Sequence, residues 1–315
     1  MKKILFTGFL LISILLSLMV GVMFIPINHL FAPDETEKLL ILTLRLPRTV
    51  SLLIAGAALS VSGLLMQQIT QNKFVSPTTA GTMASARLGI ILAMVFFGQQ
   101  SLLHKTLFAF VFSIIGTILF AHFLKTIQLK QSMMIPLVGL MFGNVIGAFG
   151  TFIAYQFDLI QNATSWLQGD LSLISSENYG LIYITLPLML MIYLFSHYFS
   201  VLNLGKQQVT GLGVSFEQIE MIGIMIVAIA SAGVLLTVGN IPFIGLIIPN
   251  VLSLKSGDHF RKLLFPTAYS GAVFLIWCDI FSRIIVHPYE VPVSLTVGVI
   301  GTILFLFLLL KGERA

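Results

Sequence analysis

Ten apolar stretches of near-equal length, separated by short polar turns, decide what this chain can fold into. They cover residues 4–26, 47–69, 79–97, 106–124, 134–157, 179–199, 219–238, 241–254, 263–286 and 291–310. Most approach or exceed the roughly 20 residues that a helix needs to cross a hydrocarbon core. Charged residues make up only 9% of the 315 positions, against about 25% in a soluble domain, so no wetted surface can be built from this composition. In lipid every backbone N–H and C=O must be satisfied within the chain, which makes helices the reading of stretches this long. The sequence therefore predicts an all-α membrane protein of ten transmembrane helices in a single transmembrane domain, residues 1–315. The stretch at 241–254 is too short to cross alone and is expected to be a half-helix or to sit sunk among its neighbours. The first stretch follows Lys2 and Lys3 as a signal peptide would. It is longer than the about 7–15 apolar residues of a secretory core and lacks a small-x-small cleavage site, so it reads as a retained helix.

Orientation follows from the basic residues, which collect on the cytoplasmic side of a membrane. With the amino terminus inside, Lys2, Lys3, Lys73, Lys125, Lys130, Lys206, Lys255, Arg261, Lys262, Lys311 and Arg314 fall inside, and Lys38, Arg45, Arg48, Lys105 and Arg283 fall outside. The larger set inside predicts an even number of spans with both termini cytoplasmic. Asp34, Glu35, Glu37, Asp158, Asp170, Glu177 and Glu290 all lie outside on this topology. The net charge of +5 arises from this placement; with no basic run and no basic patch interleaved with aromatics, nucleic acid is excluded as a partner, and membrane lipid is the one that composition demands. The lone Cys278 excludes an internal disulfide and a cysteine-rich metal site. His29, His104, His122, His197, His259 and His287 show no ligand spacing, so neither a metal nor a cofactor is expected.

Several landmarks punctuate the chain. The second stretch opens Leu44-Arg45-Leu46-Pro47-Arg48, with proline suited to a helix start, and is rich in small residues that let backbones approach. The fifth carries Gly139, Gly143 and Gly147 at four-residue spacing; such a stripe reads first as helix packing, and alternatively as a subunit interface bordering a pathway. Residues 200–218 form the sizeable cytoplasmic loop, longer than a mere connection needs, and are expected to hold two short amphipathic helices. Gly205 and Gly213 bracket a segment that includes Lys206, Gln207, Val209 and Leu212. Between the seventh and eighth stretches, Gly239, Pro242, Gly245 and Pro249 break any regular helix, and irregular backbone at membrane depth is tolerated where it lines protein or a water-filled cavity.

Four collinear blocks carry a resemblance: LRLPRTVSLLIAGAALSVSGLLMQQ at 44–68, LGKQQVTGLG at 204–213, GNIPFIGLIIPN at 239–250 and DIFSRIIVHPYEVPVSLTV at 279–297. From about Leu44 to the carboxyl terminus the chain resembles the permeases of ATP-binding-cassette (ABC) importers for ferric siderophores, haem and vitamin B12. It departs from the usual pattern at Gln71-Asn72-Lys73-Phe74-Val75, at Ser85-Ala86-Arg87-Leu88-Gly89, at Lys206 in place of an acid, and at Asn250. The first two departures look like the catecholate-siderophore subgroup, similar to permeases for petrobactin and anguibactin. The resemblance implies a type II importer architecture in the cytoplasmic membrane, without catalytic residues. It also implies a separate ATP-hydrolysing subunit, a second permease subunit in a heterodimer, and an extracytoplasmic siderophore-binding protein. The sequence agrees on one point by itself, since it holds no G-x-x-x-x-G-K-[ST] phosphate loop.

On this resemblance Arg45, Arg48 and Arg283 receive carboxylates of the binding protein at the outer face, a task that suits the planar guanidinium. The competing readings are interfacial anchoring and, for Arg283, pairing with Asp279 one helical turn earlier. The segment Gly205, Lys206, Gln207, Val209, Leu212, Gly213 is expected to couple to the ATPase, with Val209 and Leu212 entering a partner groove. Arg87 sits inside the third stretch, where a charge is costly and marks a functional site by default. It would favour an anionic chelate on its route, or else pair with carbonyls or a carboxylate nearby. Asn144 and Gln156 face a polar lumen or act as hydrogen-bond glue between helices. A haem or cobalamin chelate is the alternative cargo. An ion-coupled secondary transporter, a different class, would need acids or histidines inside its helices.

Overall fold

The structure is a computed structural model that describes residues 2–31, 33–98, 101–126, 134–167, 171, 174 and 179–312. Lys130, Asp170, Glu177 and Arg314, used above to orient the chain, lie outside the described residues. In chain order the helices are α1 (Lys2–Met19), α2 (Ile27–Phe31), α3 (Glu35–Leu40), α4 (Leu46–Thr70), α5 (Thr82–Phe97), α6 (Leu102–Thr126), α7 (Met134–Gln156) and α8 (Ile160–Leu167). They continue as α9 (Thr185–Leu194), α10 (Ser196–Val201), α11 (Lys206–Gly211), α12 (Phe216–Val238), α13 (Ile244–Ser256), α14 (Phe260–Ile284) and α15 (Val293–Gly312).

All ten apolar stretches contain helix. By length and composition, however, five helices among the described residues qualify as spans, and a sixth is the pair Tyr179–Leu194 and Ser196–Leu204, bent by 62°. The other four stretches are shorter apolar helices: Phe6–Met19, Thr82–Phe97, Ile244–Ser256 and Val293–Phe307. The bend near Phe195 replaces an unbroken helix expected over 179–199. It brings Phe199 into full burial, its ring 6.3 Å from that of Phe260.

The second expected helix also differs at its start. A single helical rod runs from Glu35 to Thr70, 36 residues, passing through a turn of π-helix at Ile41–Arg45. Pro47 has no N–H to donate, so a regular helix would be broken there. The wider π turn immediately before it accommodates the missing bond.

α4 is the buried axis of the bundle. Gly56 faces Gly271 of α14 and Gly63 faces Gly245 of α13 so closely that a Cβ on either would collide with the opposing carbonyl oxygen. α14 runs antiparallel to α4, from the Lys73–Asp258 ion pair at one end to Arg48 and Asp279 at the other. α1 runs parallel to α14, as contacts Tyr269 to Phe6, Trp277 to Ser13 and Arg283 to Ser17 show. Near the end of α15, Phe305 packs 6.3 Å from Phe74. The start of α1 and the end of α15 therefore share the Lys73 end, as both termini on one side of a membrane require.

Candidate functional site

At the Arg48 end, a carboxylate with no exposed surface pairs with two guanidinium groups, and a third lines the same cleft. Asp279 of α14 accepts hydrogen bonds from Arg48 Nε and Nη2 at 3.2 and 2.7 Å, and pairs through its other oxygen with Arg283. Arg48 Nη1 reaches Glu290 at 2.6 Å. Arg283 also donates to the carbonyls of Ser17 and Val20 at 2.9 and 2.7 Å. Arg45 donates to the carbonyls of Leu18, Met19 and Met23. These carbonyls belong to the last turn of α1 and the residues after it, where helical partners run out, so the arginines close that helix end.

The resemblance gave all three arginines to carboxylates of a binding protein; in the structure all three are buried and already hold intramolecular acceptors, as a charge at this depth requires. Arg283 does take Asp279. Glu290, which the sequence reading used only as an outer acid, supplies the remaining partner; its pairing spans 242 residues of chain, and no local pattern announces it. The three arginines and Glu290 nevertheless line one cleft of about 610 Å³ at this end.

A second cleft, of about 440 Å³, lies between α5, α7 and the irregular segment before α13. It gathers Arg87, Gly143, Asn144 and Gly147, together with Asn240 and Pro242. The glycine stripe divides along its length. A Cβ on Gly139 would collide with the Thr79 carbonyl oxygen and crowd Phe120, so this residue is a packing glycine. A Cβ on Gly143 would lie 3.4 Å from Gly81 Cα, in ordinary contact, and one on Gly147 would meet nothing within 4 Å. Gln156, expected beside these, is exposed and does not line the cleft. Asn240 is a lining residue that sequence reasoning missed, although the Gly239–Pro242 break placed it at a cavity wall. Gly239 and Phe243 both take positive φ, 82° and 62°, which turns the chain sharply into α13.

At the opposite end, the loop corrects two expectations. It holds a single six-residue helix, α11; the second expected helix is the first turn of α12, which starts directly after Ser215. Val209 is fully buried within the chain's own core, whereas Leu212 is 61% exposed. Lys206, which stands in place of an acid, pairs with Glu217 at 2.6 Å, and that carboxylate pushes the Lys206 ammonium pKa up. Both side chains are exposed, so the pair is a weak contact. Lys206→Ala is expected to leave the melting temperature in detergent where it is. Val209→Asp is expected to lower it strongly, because the carboxylate would be buried without a partner.

Comparison with known proteins places the chain in a family. The sequence model of the FecCD transport family matches residues 9–311. The chain belongs to the FecCD transport family. Among FecCD relatives, the petrobactin import system permease protein of Bacillus subtilis is 45% identical over 304 residues, covering 96% of each chain. The ferric-anguibactin transport system permease protein of Vibrio anguillarum is 38% identical over 282 residues, covering 90% of each. The petrobactin import system permease protein of Bacillus anthracis is 34% identical, covering 96% of this chain and 91% of that one. A solved metal-chelate type ABC transporter in an inward-facing conformation shares the fold, with a TM-score of 0.80 at 24% identity over 99% of this chain and 100% of that one. This FecCD chain is thus a multi-pass membrane permease of the type II ABC importer architecture, and ATP hydrolysis belongs to a separate chain. An import permease of this kind works with an ATPase and a binding protein.

Proposed function

We propose that this permease imports an iron(III)–siderophore chelate across the cytoplasmic membrane by alternating access, paired with a second, different permease subunit. The observation that carries this reading is the polar cleft at membrane depth, opened by Gly147 and walled by irregular backbone, in a chain whose relatives are named for petrobactin and anguibactin. Irregular backbone inside a membrane is affordable where it lines a cavity, and a second subunit would complete the enclosure.

The extracytoplasmic siderophore-binding protein docks at the cleft lined by Arg45, Arg48 and Arg283, where its carboxylate competes with Glu290 for Arg48. The ATPase grips the loop 200–218, with Gly205 and Gly213 at positive φ framing α11 and Leu212 as the exposed apolar contact. Coupling needs an element whose contacts differ between two states, and this loop supplies it. A secondary transporter reading finds little support: Asp279, the acid inside α14, is held by two arginines rather than free to bind a coupling ion.

The test joins this chain with its ATPase, second permease and binding protein in vesicles. Uptake of ferric petrobactin is expected only with the full set and ATP, and haem or cobalamin should not compete. Uptake by this chain alone would sink the proposal. Leu212→Asp is expected to leave the complex folded while uncoupling hydrolysis from uptake; intact coupling in that variant would return the loop to a simple connector.

A further inference from the structure

We propose that Arg87 is the residue by which this permease selects for negatively charged chelates in the membrane-depth cleft. The proposal rests on the reading of the chain as a chelate importer, and adds to it the charge class of the cargo and the residue that enforces it.

Arg87 projects from α5 into the cleft and is half-buried. Its Nε is buried with no hydrogen-bond partner, and among the described residues no carboxylate pairs with it. Every other arginine described at comparable depth is paired: Arg48 and Arg283 share Asp279, and Arg45 holds three carbonyls. A guanidinium in low dielectric without a counter-charge is unfavourable and persists where function needs it. The lining of the cleft contains no Asp or Glu. Its other polar groups, Thr78, Thr79, Asn144, Thr151 and Asn240, are neutral. The cleft therefore carries an uncompensated positive charge, ringed by groups able to share hydrogen bonds with oxygen-rich ligands.

Iron(III) held by two or three catecholates is an anion, because each bidentate catecholate brings two negative charges. Iron(III) held by three hydroxamates is neutral, because each brings one. The field of Arg87 lowers the barrier for the first class and does nothing for the second. Open space at Gly147 leaves room for a bulky cargo beside the guanidinium.

The experiment uses vesicles holding the complete complex, with ferric petrobactin as the probe and uptake expressed per folded complex. Arg87→Gln is expected to lower the maximal rate about tenfold or more, with Arg87→Lys recovering it to within about threefold, since the point charge is what acts on the cargo. The half-saturating concentration of loaded binding protein, which reports docking at the other cleft, is expected to move little. Asn144→Asp, at an exposed side chain of the same cleft, is expected to lower the rate as well by cancelling the field. The proposal is overturned if Arg87→Gln transports like the parent, if Arg87→Lys does no better than Arg87→Gln, or if Asn144→Asp is without effect. It is equally overturned if Arg87→Gln detaches the second permease subunit, because Arg87 would then be an interface residue. A parent complex that docks and hydrolyses ATP but moves no chelate removes the importer reading itself, and this assignment with it.

Discussion

Asp279→Ala is expected to abolish accumulation of the folded permease, the largest effect of any single substitution in the molecule. The wild-type carboxylate has no exposed surface and balances Arg48 and Arg283 at once. Removing one member of a buried ionic pair leaves its partner charged and unpaired, which costs about 3–5 kcal/mol; here Arg283 would be left with the Ser17 and Val20 carbonyls alone and Arg48 with Glu290 alone. Asp279→Asn keeps the shape and one acceptor and is expected to fall between the two. Glu290→Gln should cost far less, because Glu290 is partly exposed and water can take its place beside Arg48. Thermal unfolding of detergent-solubilised protein, followed by size-exclusion chromatography, gives the order. An Asp279→Ala variant as stable as Glu290→Gln would mean that the cluster is hydrated and contributes little.

Gly63→Ala carries the second large expected effect. The added methyl would collide with backbone atoms of Gly245, which have no rotamer to yield, so α4 and α13 would have to separate. Over-packing typically costs about 1–3 kcal/mol and more where backbone must move. Gly147→Ala is the internal contrast: nothing stands within 4 Å of the new methyl, and alanine gains up to about 1 kcal/mol over glycine in a helix. Its melting temperature is expected to hold or rise. Equal losses in both variants would show that helix flexibility, not contact at the α4–α13 crossing, is what the glycines provide.

How far these features could be read in advance depended on the range of the interaction behind them. The apolar stretches were legible because transfer into lipid acts residue by residue, and the break before α13 because Gly239 and Pro242 act on their own backbone. The placement of Arg45, Arg48 and Arg283 at one end was legible from charge along the chain. The pairing of Arg283 with Asp279, one turn apart, was within reach as well; that of Arg48 was not, because it meets Asp279 across 231 residues and Glu290 across 242. In α11 the six residues span too few turns for periodicity to assign a face, and Val209 and Leu212 were grouped together although one is buried and the other exposed. The isolation of Arg87 was equally invisible: a missing partner is a property of all the helices that surround it.

The uninterrupted rod from Glu35 to Thr70 has a mechanical consequence. Its 36 residues, at about 1.5 Å each, reach about 54 Å, more than the thickness of a bilayer with its headgroups. One end carries Arg45 and Arg48 among the groups of the outer cleft. The other leads to Gln71, whose side-chain amide holds the Leu202 carbonyl at 2.8 Å, three residues before Gly205 and the α11 loop. From Leu46 to Thr70 the rod is regular α-helix, so a small rocking imposed beside Arg48 would emerge at the inner tip as a displacement of similar size and opposite direction. Signalling from the outer surface to the motor would then need no relay of side chains, only a stiff rod and a fulcrum, and the tight crossings at Gly56 and Gly63 sit where a fulcrum belongs.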